Sequence, residues 1–282
     1  MNSRPINPDF DTTPEGDSSK TDLGRRISVA VGAFLVWLIS VVFIAVIPAI
    51  FLIPYLASQG VSFAQPSQMA EAAKNDPTAI VLQIAAIIPA HLLTLLLAYL
   101  VITRGRKYEF LKTLGWKDGG VRWWHYLVIL GSFLVIAGMV NYFVPEQEND
   151  LIRILRSSRY AVYLIAAVAT FSAPLIEEII YRGVLFSAFQ RALGIPAAFA
   201  LVTFLFSLVH VPQYYPSIST ILLLTLLSVT LTGLRVYSKN LLPCIILHTI
   251  FNGFQSIFLV LEPLFSPASQ SDVAATIIGN LK

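Results

Sequence analysis

The sequence contains few charged residues, and this scarcity excludes an ordinary soluble domain. Only 12% of its 282 residues are Asp, Glu, Lys or Arg, whereas 56% are hydrophobic. Soluble domains carry roughly 25% charged residues. Because a charge is costly in hydrocarbon and an apolar side chain is not, this composition predicts an integral membrane protein.

Cysteine and concentrated positive charge are also scarce. The single cysteine, Cys244, has no partner within the chain, so an internal disulfide framework is excluded. The net charge is only +3, and most basic residues stand in short segments between apolar runs. A nucleic-acid-binding protein would need a dense basic face. We therefore expect no nucleic acid as a partner, and we expect the lipid bilayer as one.

Long apolar runs are abundant, and they define the architecture. Because lipid offers the backbone no hydrogen bonds, each run of about 20 residues is predicted to be a transmembrane helix. The predicted fold is therefore all-α, a polytopic transmembrane bundle. Its seven predicted spans cover residues 27–57, 78–103, 122–144, 160–193, 196–211, 217–236 and 241–262.

Proline and glycine mark breaks within and between these spans. Pro48 and Pro54 are expected to kink or end the first span, and Pro174 to kink the fourth. Gly194 is expected to separate the fourth span from the fifth. Outside the spans, residues 149–156 predict a short amphipathic helix capped by one of its first two residues.

The connecting segments also predict an orientation. Residues 104–122 contain six basic and two acidic side chains, and cytoplasmic loops are enriched in Lys and Arg. With seven spans, this places the N-terminus in the cytoplasm and the C-terminus outside. We expect the protein to lie in a plasma (inner) membrane.

Charged side chains within the predicted spans form one cluster, about halfway along the fourth. Such residues are rare in membranes and usually functional. Glu178 and Arg182 are i, i+4 neighbours on one helix face, so they are predicted to neutralise each other. Glu177 lies about 100° around the helix and shares its face with Tyr181. Glu177 is therefore the carboxylate predicted to be available for chemistry.

Histidines in neighbouring spans lie at depths compatible with this cluster. If the fourth and fifth spans form an antiparallel hairpin about residue 194, Glu177 and His210 lie 17 and 16 residues from the turn. His248 and Asn252 are i, i+4 neighbours on the seventh span. His91, in the second span, is expected to form a hydrogen bond between helices rather than to join the site.

Three ordered motifs resemble the signatures of the CPBP family, which groups CAAX-type prenyl-protein endopeptidases with bacteriocin-processing and abortive-infection-like membrane proteins. The motifs are Glu177-Glu178-x-x-x-Arg182, Phe206-x-x-x-His210 and His248-x-x-x-Asn252. The resemblance covers roughly residues 160–262. It implies an intramembrane glutamic endopeptidase, CAAX-protease-like, that hydrolyses a peptide bond of a membrane-associated, peptide or lipidated-protein substrate.

The resemblance also implies catalytic roles. Glu177 would act as the general base that activates a water, and His210 would help to position that water. His248 and Asn252 would stabilise the oxyanion. These assignments agree with general chemistry, since a carboxylate beside an imidazole can deprotonate water and preorganised donors stabilise developing negative charge.

Supporting roles follow for the other motif residues. By the same resemblance, Glu178 and Arg182 would brace the site and Phe206 would line it. Tyr181 is grouped with them because it shares the helix face of Glu177. Residues 160–262 are therefore predicted to form the catalytic core. The other predicted regions are a disordered cytoplasmic leader (1–26), N-terminal helices and loops (27–159) and a short polar tail (263–282).

Three alternatives remain open from the sequence. Glu177, His210 and His248 would suit a catalytic zinc with an open position, although the chain has no HExxH helix and the preferred expectation is no cofactor. A proton-coupled transporter would use similar intramembrane residues, but the sequence shows no internal repeat. The third alternative is a non-catalytic bacteriocin-immunity or scaffold protein. Such a protein would not need to retain Glu177 or His210, so the presence of both favours an active enzyme.

Overall fold

The computed structural model describes residues 19–62 and 64–265, in which all regular secondary structure is helical and no strand occurs. This confirms the all-α prediction. The α-helices are α1 Ser19–Ser58, α2 Pro66–Asn75, α3 Pro77–Ala85, α4 Ile87–Thr103, α5 Phe110–Leu114, α6 Trp123–Phe143, α7 Asp150–Ser157, α8 Arg159–Ala167, α9 Ala173–Glu178, α10 Phe186–Leu193, α11 Ile195–Tyr214, α12 Ile218–Ser238 and α13 Leu242–Phe265. Two π-helical segments, the first at Val168–Ser172 and the second at Ile179–Leu185, flank α9.

Seven stretches of the described residues are long and apolar enough to cross a membrane, as predicted. They are Asp22–Ser58, Pro77–Thr103, Trp123–Phe143, Arg159–Leu193, Ile195–Tyr214, Ile218–Ser238 and Leu242–Leu261, here called spans one to seven. Large apolar side chains on their outer faces are exposed, such as Leu92 at 62%, Val135 at 65% and Phe258 at 60%. Water would disfavour this surface, whereas lipid does not.

The first helix begins earlier than predicted, and its end at Ser58 agrees with the predicted end at residue 57. It begins at Ser19, so residues 19–26 are helical rather than part of a disordered leader, and the rest of the predicted leader lies outside the described residues. Pro48 and Pro54 lie inside the helix, which continues to Ser58. Of the two expected effects, kinking or ending the span, the second does not occur at either proline. At the other terminus, α13 continues to Phe265, so the first residues of the predicted tail are helical.

Span four is not the regular α-helix that the sequence count assumed. It consists of α8, the first π segment, α9, the second π segment and α10. Pro174 is the second residue of α9, immediately after the first π segment. A proline cannot donate a backbone hydrogen bond, so it favours a change in the bonding pattern at this point. Such π segments occur frequently at functional sites.

The turn after span four was predicted correctly. Gly194 has a φ of +82° and separates α10 from α11. Glycine adopts this conformation without the steric penalty that a side chain would bring. The helices α10 and α11 then pack against each other as a hairpin. The amphipathic helix is also confirmed as α7, since Asn149 Oδ1 accepts a hydrogen bond from the Ile152 N–H at 3.0 Å.

A second side-chain cap begins span two. Asp76 accepts hydrogen bonds from the N–H groups of Thr78 at 2.7 Å and Ala79 at 3.1 Å, and from the Tyr55 hydroxyl at 2.9 Å. Burial acts to raise the pKa of Asp76, but these three hydrogen bonds outweigh it and hold the pKa below its ordinary value. Asp76 thus stabilises the start of α3 in its ionised form.

Two large apolar cores organise the described part of the bundle, and a smaller one joins α3 to α8. The first joins buried residues of α1, α4, span four and α11. The second joins α6, α12 and α13. Polar side chains of span four contact α12 and α13, so the candidate site lies where the two cores meet.

Candidate active site

The predicted ion pair between Glu178 and Arg182 is present and completely buried. Arg182 Nη1 donates to Glu178 Oε1 at 2.8 Å, and both side chains are 0% exposed. The i, i+4 spacing still brings them together although Arg182 lies in the second π segment. Removing either partner would leave an uncompensated charge in an apolar interior.

Two hydroxyl groups on α12 hold the rest of the Arg182 guanidinium. Nη2 donates to Ser228 Oγ at 2.8 Å and to the Ser228 carbonyl at 3.1 Å, and Nε donates to Thr232 Oγ1 at 3.3 Å. Sequence reasoning missed both residues. Their spacing of four on the sixth span would have been the available signal, because it places both hydroxyls on one helix face.

Glu178 also binds the histidine of span seven. His248 Nδ1 lies 2.9 Å from Glu178 Oε1, and because an ionised carboxylate can only accept, Nδ1 carries the hydrogen. Oε1 therefore receives both Arg182 and His248. Glu178 Oε2 is buried and has no hydrogen-bond partner among the described protein groups.

Glu177 has a different environment from Glu178. Its side chain is 25% exposed, and its Oε2 lies 3.9 Å from His248 Nε2. This separation is longer than a hydrogen bond. Because Nδ1 of His248 is committed to Glu178, Nε2 is the nitrogen that faces Glu177.

His210 is oriented by its own helix. Its Nδ1 lies 2.7 Å from the Phe206 carbonyl oxygen, which can only accept, so Nδ1 donates and Nε2 is left to act as an acceptor in the neutral ring. No ion pair within 4.0 Å joins Glu177 to His210 in the described part of the chain. The histidine nearest to Glu177 is His248.

The ring of Phe206 connects the members of the site. Its centroid lies 4.7 Å from that of His210, 6.2 Å from that of His248 and 5.1 Å from that of Tyr181. The Arg182 guanidinium lies over the same ring at 4.9 Å, within cation–π distance. Phe206 is 1% exposed. It therefore fixes the relative positions of the motif side chains.

The Asn252 side chain supplies a hydrogen bond to a backbone carbonyl of the first π segment. The Asn252 amide donates to the Ala169 carbonyl at 2.8 Å. Within that segment the Ala173 N–H bonds the Val168 carbonyl, five residues earlier. The next bond of this series would join Pro174 to Ala169, but proline has no N–H to give. The side chain of Asn252 thus satisfies a carbonyl that Pro174 leaves without a donor.

Two further hydrogen bonds tie spans one and two to span four. His91 Nδ1 lies 3.0 Å from Ser172 Oγ, whose own hydrogen is directed to the Val168 carbonyl at 3.2 Å. The expected interhelical role of His91 is therefore confirmed. Trp37 Nε1 donates to the Tyr181 hydroxyl at 3.1 Å. This contact was not predicted, and a lone tryptophan in an apolar run gives no sequence signal for it.

Arg235 is a second buried arginine next to the site. It lies inside α12, is 9% exposed, and donates from Nε to the Arg182 carbonyl at 3.3 Å. The apolar pattern of the sixth span continues past Arg235 through Val236 and Tyr237. No role was predicted for Arg235 from the sequence, although the predicted sixth span, residues 217–236, includes it.

The zinc alternative would need Glu177, His210 and His248 to converge on one point. The described residues contain no group of three His, Cys, Asp or Glu side chains that could hold a metal ion. In particular, Glu177, His210 and His248 do not form such a group. Both histidines direct Nδ1 to protein oxygens, which leaves Nε2 of each ring for other contacts.

Comparison with known proteins locates this site within a recognised family. Residues 159–254 match the family model described as "Type II CAAX prenyl endopeptidase Rce1-like". The matched segment begins with α8, ends within α13 and includes every motif residue named above. Neither a curated protein nor a solved structure matches the chain.

Proposed function

Residues 159–254 belong to the CPBP family of intramembrane proteases, and from this premise we propose that the protein is a glutamic endopeptidase that hydrolyses a peptide bond with a water activated by Glu177. The family match supports a CAAX-protease-like membrane enzyme. The catalytic type, the residue roles and the substrate are our proposal.

The observation that carries the proposal is the contrast between two adjacent carboxylates. Glu178 is completely buried and is neutralised by Arg182, whereas Glu177 is 25% exposed and has no cationic side chain paired with it by a short contact. A base must be reachable by water and substrate and must keep a free lone pair. Glu177 meets both requirements, and Glu178 meets neither.

In the proposed reaction, Glu177 removes a proton from water while the water oxygen attacks the scissile carbonyl carbon. The tetrahedral intermediate collapses when the C–N bond breaks, and the proton held by Glu177 passes to the leaving amine. Nε2 of His210 is suited to accept the second hydrogen of the water, because Nδ1 of that ring is held by the Phe206 carbonyl. Orientation of the water by two acceptors would favour attack along one direction.

His248 and Asn252 are the proposed oxyanion donors. Glu178 holds the His248 ring through Nδ1, so Nε2 faces the reaction side beside Glu177. The protonated ring would donate from Nε2 to the oxyanion. The Asn252 amide uses one hydrogen for Ala169 and retains the other. Removing one such donor typically costs about 3 kcal/mol of transition-state stabilisation.

The reaction site lies near the middle of span four, so we propose that the substrate is a membrane-associated peptide or lipidated protein. The basic segment 104–122 supports a cytoplasmic N-terminus and an external C-terminus in a plasma (inner) membrane. Prenylation of the substrate is a separate question, which matched CAAX peptides with and without the prenyl group would answer.

Proteoliposomes containing the full chain and quenched fluorescent peptides test the reaction. Glu177→Gln keeps the size of the side chain but removes the base, so kcat should fall by roughly 10²- to 10⁴-fold. Glu109→Gln, in the loop before α5, is the matched control and should keep wild-type activity. If wild type cleaves no peptide but moves protons or solute, a transporter replaces the protease. Cleavage by Glu177→Gln within tenfold of wild type would exclude Glu177 as the base.

Metal dependence requires its own experiment. We propose that activity is independent of zinc, so exhaustive dialysis against a chelator should leave kcat unchanged. Elemental analysis of the purified protein provides the second measurement. Stoichiometric zinc whose removal abolishes turnover, and whose return restores it, would contradict this proposal.

Substrates can be identified with an inactive variant. Glu177→Ala should bind but not cleave, so crosslinking in native membranes should enrich intact substrates relative to wild type. Peptides enriched by Glu177→Ala and then cleaved by the purified wild-type enzyme would define the recognised sequence. If no enriched peptide is cleaved, the bound partners are not substrates, and a scaffold function is favoured.

A further inference from the structure

The pairing between Arg182 and Glu178 uses one arm of the guanidinium. Only Nη1 contacts the carboxylate, at Oε1, while Nη2 and Nε donate to α12 through Ser228 and Thr232. Arginine and carboxylate groups frequently pair through two parallel hydrogen bonds. The second oxygen of the same carboxylate, Glu178 Oε2, accepts no hydrogen bond from the guanidinium.

The unused oxygen, Glu178 Oε2, is buried without a partner among the described groups. An unsatisfied buried carboxylate oxygen is costly, so a two-armed pair with Arg182 would be favoured if the guanidinium could turn. The two nitrogens that would have to move are bound by the α12 hydroxyls and, for Nη2, also by the Ser228 carbonyl. The one-armed arrangement is thus maintained by span six.

We propose that Ser228 and Thr232 are positioning residues, which hold Arg182 in one-armed contact so that Glu178 Oε1 remains shared with His248. Their effect reaches the reaction through three consecutive contacts. The hydroxyls fix Arg182, Arg182 fixes Glu178 at 2.8 Å, and Glu178 fixes the His248 ring at 2.9 Å. The ring then presents Nε2 towards Glu177.

Loss of the two hydroxyls should therefore alter the hydrogen bonding of His248, although neither hydroxyl contacts that ring. With Ser228 and Thr232 replaced by residues that cannot accept, the guanidinium turns to bind both oxygens of Glu178. The carboxylate then follows the guanidinium, and the Nδ1 contact of His248 lengthens. Neither α12 residue contacts the reacting atoms in this scheme, so substrate binding should be unaffected.

Kinetics in proteoliposomes test this role, which rests on the proposed function. Thr232→Val and Ser228→Ala should each lower kcat, and the double variant should lower it by roughly tenfold or more, since a hydrogen bond to a charged group typically contributes that much. KM should stay within about twofold of wild type. Thr232→Ser retains the hydroxyl and should restore most of the activity lost in Thr232→Val.

Thr230→Val is the matched control, because the Thr230 hydroxyl donates only to the Leu226 carbonyl of its own helix, at 2.8 Å. It should match wild type in kcat. Equal losses in Thr230→Val and Thr232→Val would overturn the proposal, as would equal losses in Thr232→Ser and Thr232→Val. A rise in KM with constant kcat would also contradict it.

A measurement independent of activity separates this inference from the proposed function. Nitrogen-15 NMR of histidine-labelled protein in micelles reports the protonation and hydrogen bonding of each ring, and His248→Gln identifies the His248 signals. In folded Thr232→Val, the His248 signals should shift while those of the half-buried His125 ring, at the start of α6, stay in place. Unchanged His248 signals would refute the positioning role, even if wild type proves to cleave no peptide.

Discussion

Replacing Arg182 by methionine should strongly destabilise the protein. The guanidinium is 0% exposed and donates to Glu178, Thr232 and both the hydroxyl and the carbonyl of Ser228. Methionine fills part of the space but supplies none of these hydrogen bonds. Glu178 would then be a completely buried carboxylate with His248 as its one remaining short contact. Breaking a buried pair in this way typically costs about 3–5 kcal/mol.

Unfolding of the full chain in detergent micelles can measure this loss. Denaturant titration followed by tryptophan fluorescence gives the free energy of unfolding, and thermal scans should show a decrease in Tm of roughly 10 °C. Arg159→Met is the matched control, because Arg159 is exposed at the start of α8, and it should change the free energy by less than about 0.5 kcal/mol.

The double variant Arg182→Met/Glu178→Met tests the physical cause. If the penalty comes from the carboxylate left behind, removing it as well should recover a large part of the loss, since an apolar pair in place of a buried ion pair is often neutral. The reasoning is refuted if Arg182→Met unfolds within 1 kcal/mol of wild type, or if the double variant is less stable than Arg182→Met alone.

Three smaller perturbations give further tests. Asp76→Ala removes the cap of α3 and should cost about 1 kcal/mol at pH 7. Because hydrogen bonding holds the folded-state pKa of Asp76 below its ordinary value of 3.8, this difference should persist above that pH and vanish as the pH falls through the folded-state pKa. Gly119→Ala should lower the free energy of unfolding by about 1–3 kcal/mol more than Gly120→Ala. Both glycines have positive φ, but only at position 119 would a Cβ lie 2.6 Å from the Ser238 carbonyl. Equal melting temperatures of the two variants would contradict this. Trp37→Phe should lower the free energy of unfolding by about 1 kcal/mol through the lost bond to a buried phenol, and no change in denaturant titration would show that this bond is not stabilising.

The sequence was sufficient to predict the spans, because their signal is local. Each span needs its own run of apolar residues. The helix break at Gly194 and the helix cap at Asn149 likewise depend only on neighbouring positions. The continuity of α1 through Pro54 could not be predicted in the same way. Whether a proline ends a transmembrane helix depends on which groups satisfy the freed carbonyls, and those groups belong to the surroundings.

The charged pair of the candidate site was predictable from the sequence, whereas its hydrogen bonds to spans six and seven were less so. The contact between Glu178 and Arg182 follows from their spacing within one helix. The partner of Glu178 on span seven, His248, depends on helix tilt and on the π segments of span four, which change the angle between successive side chains. Hydroxyls such as Ser228 and Thr232 carry no charge, and although their spacing of four places them on one helix face, it does not identify Arg182 as their partner.

The bond between Trp37 and Tyr181 also indicates how deeply the first helix sits. Tyr181 lies one turn from Glu177 at the middle of span four, so the bond holds Trp37 near the same level of the bilayer. With 40 residues, α1 is about 60 Å long, twice the hydrocarbon thickness of about 30 Å. Both of its ends must then leave the hydrocarbon. Asp22 and Pro54 lie 15 and 17 residues from Trp37, roughly 22 and 26 Å along the axis. For a helix along the membrane normal, the proline therefore stands at or beyond the outer edge of the headgroups, roughly 20–22 Å from the centre, where water can bind the carbonyl that it leaves without a donor.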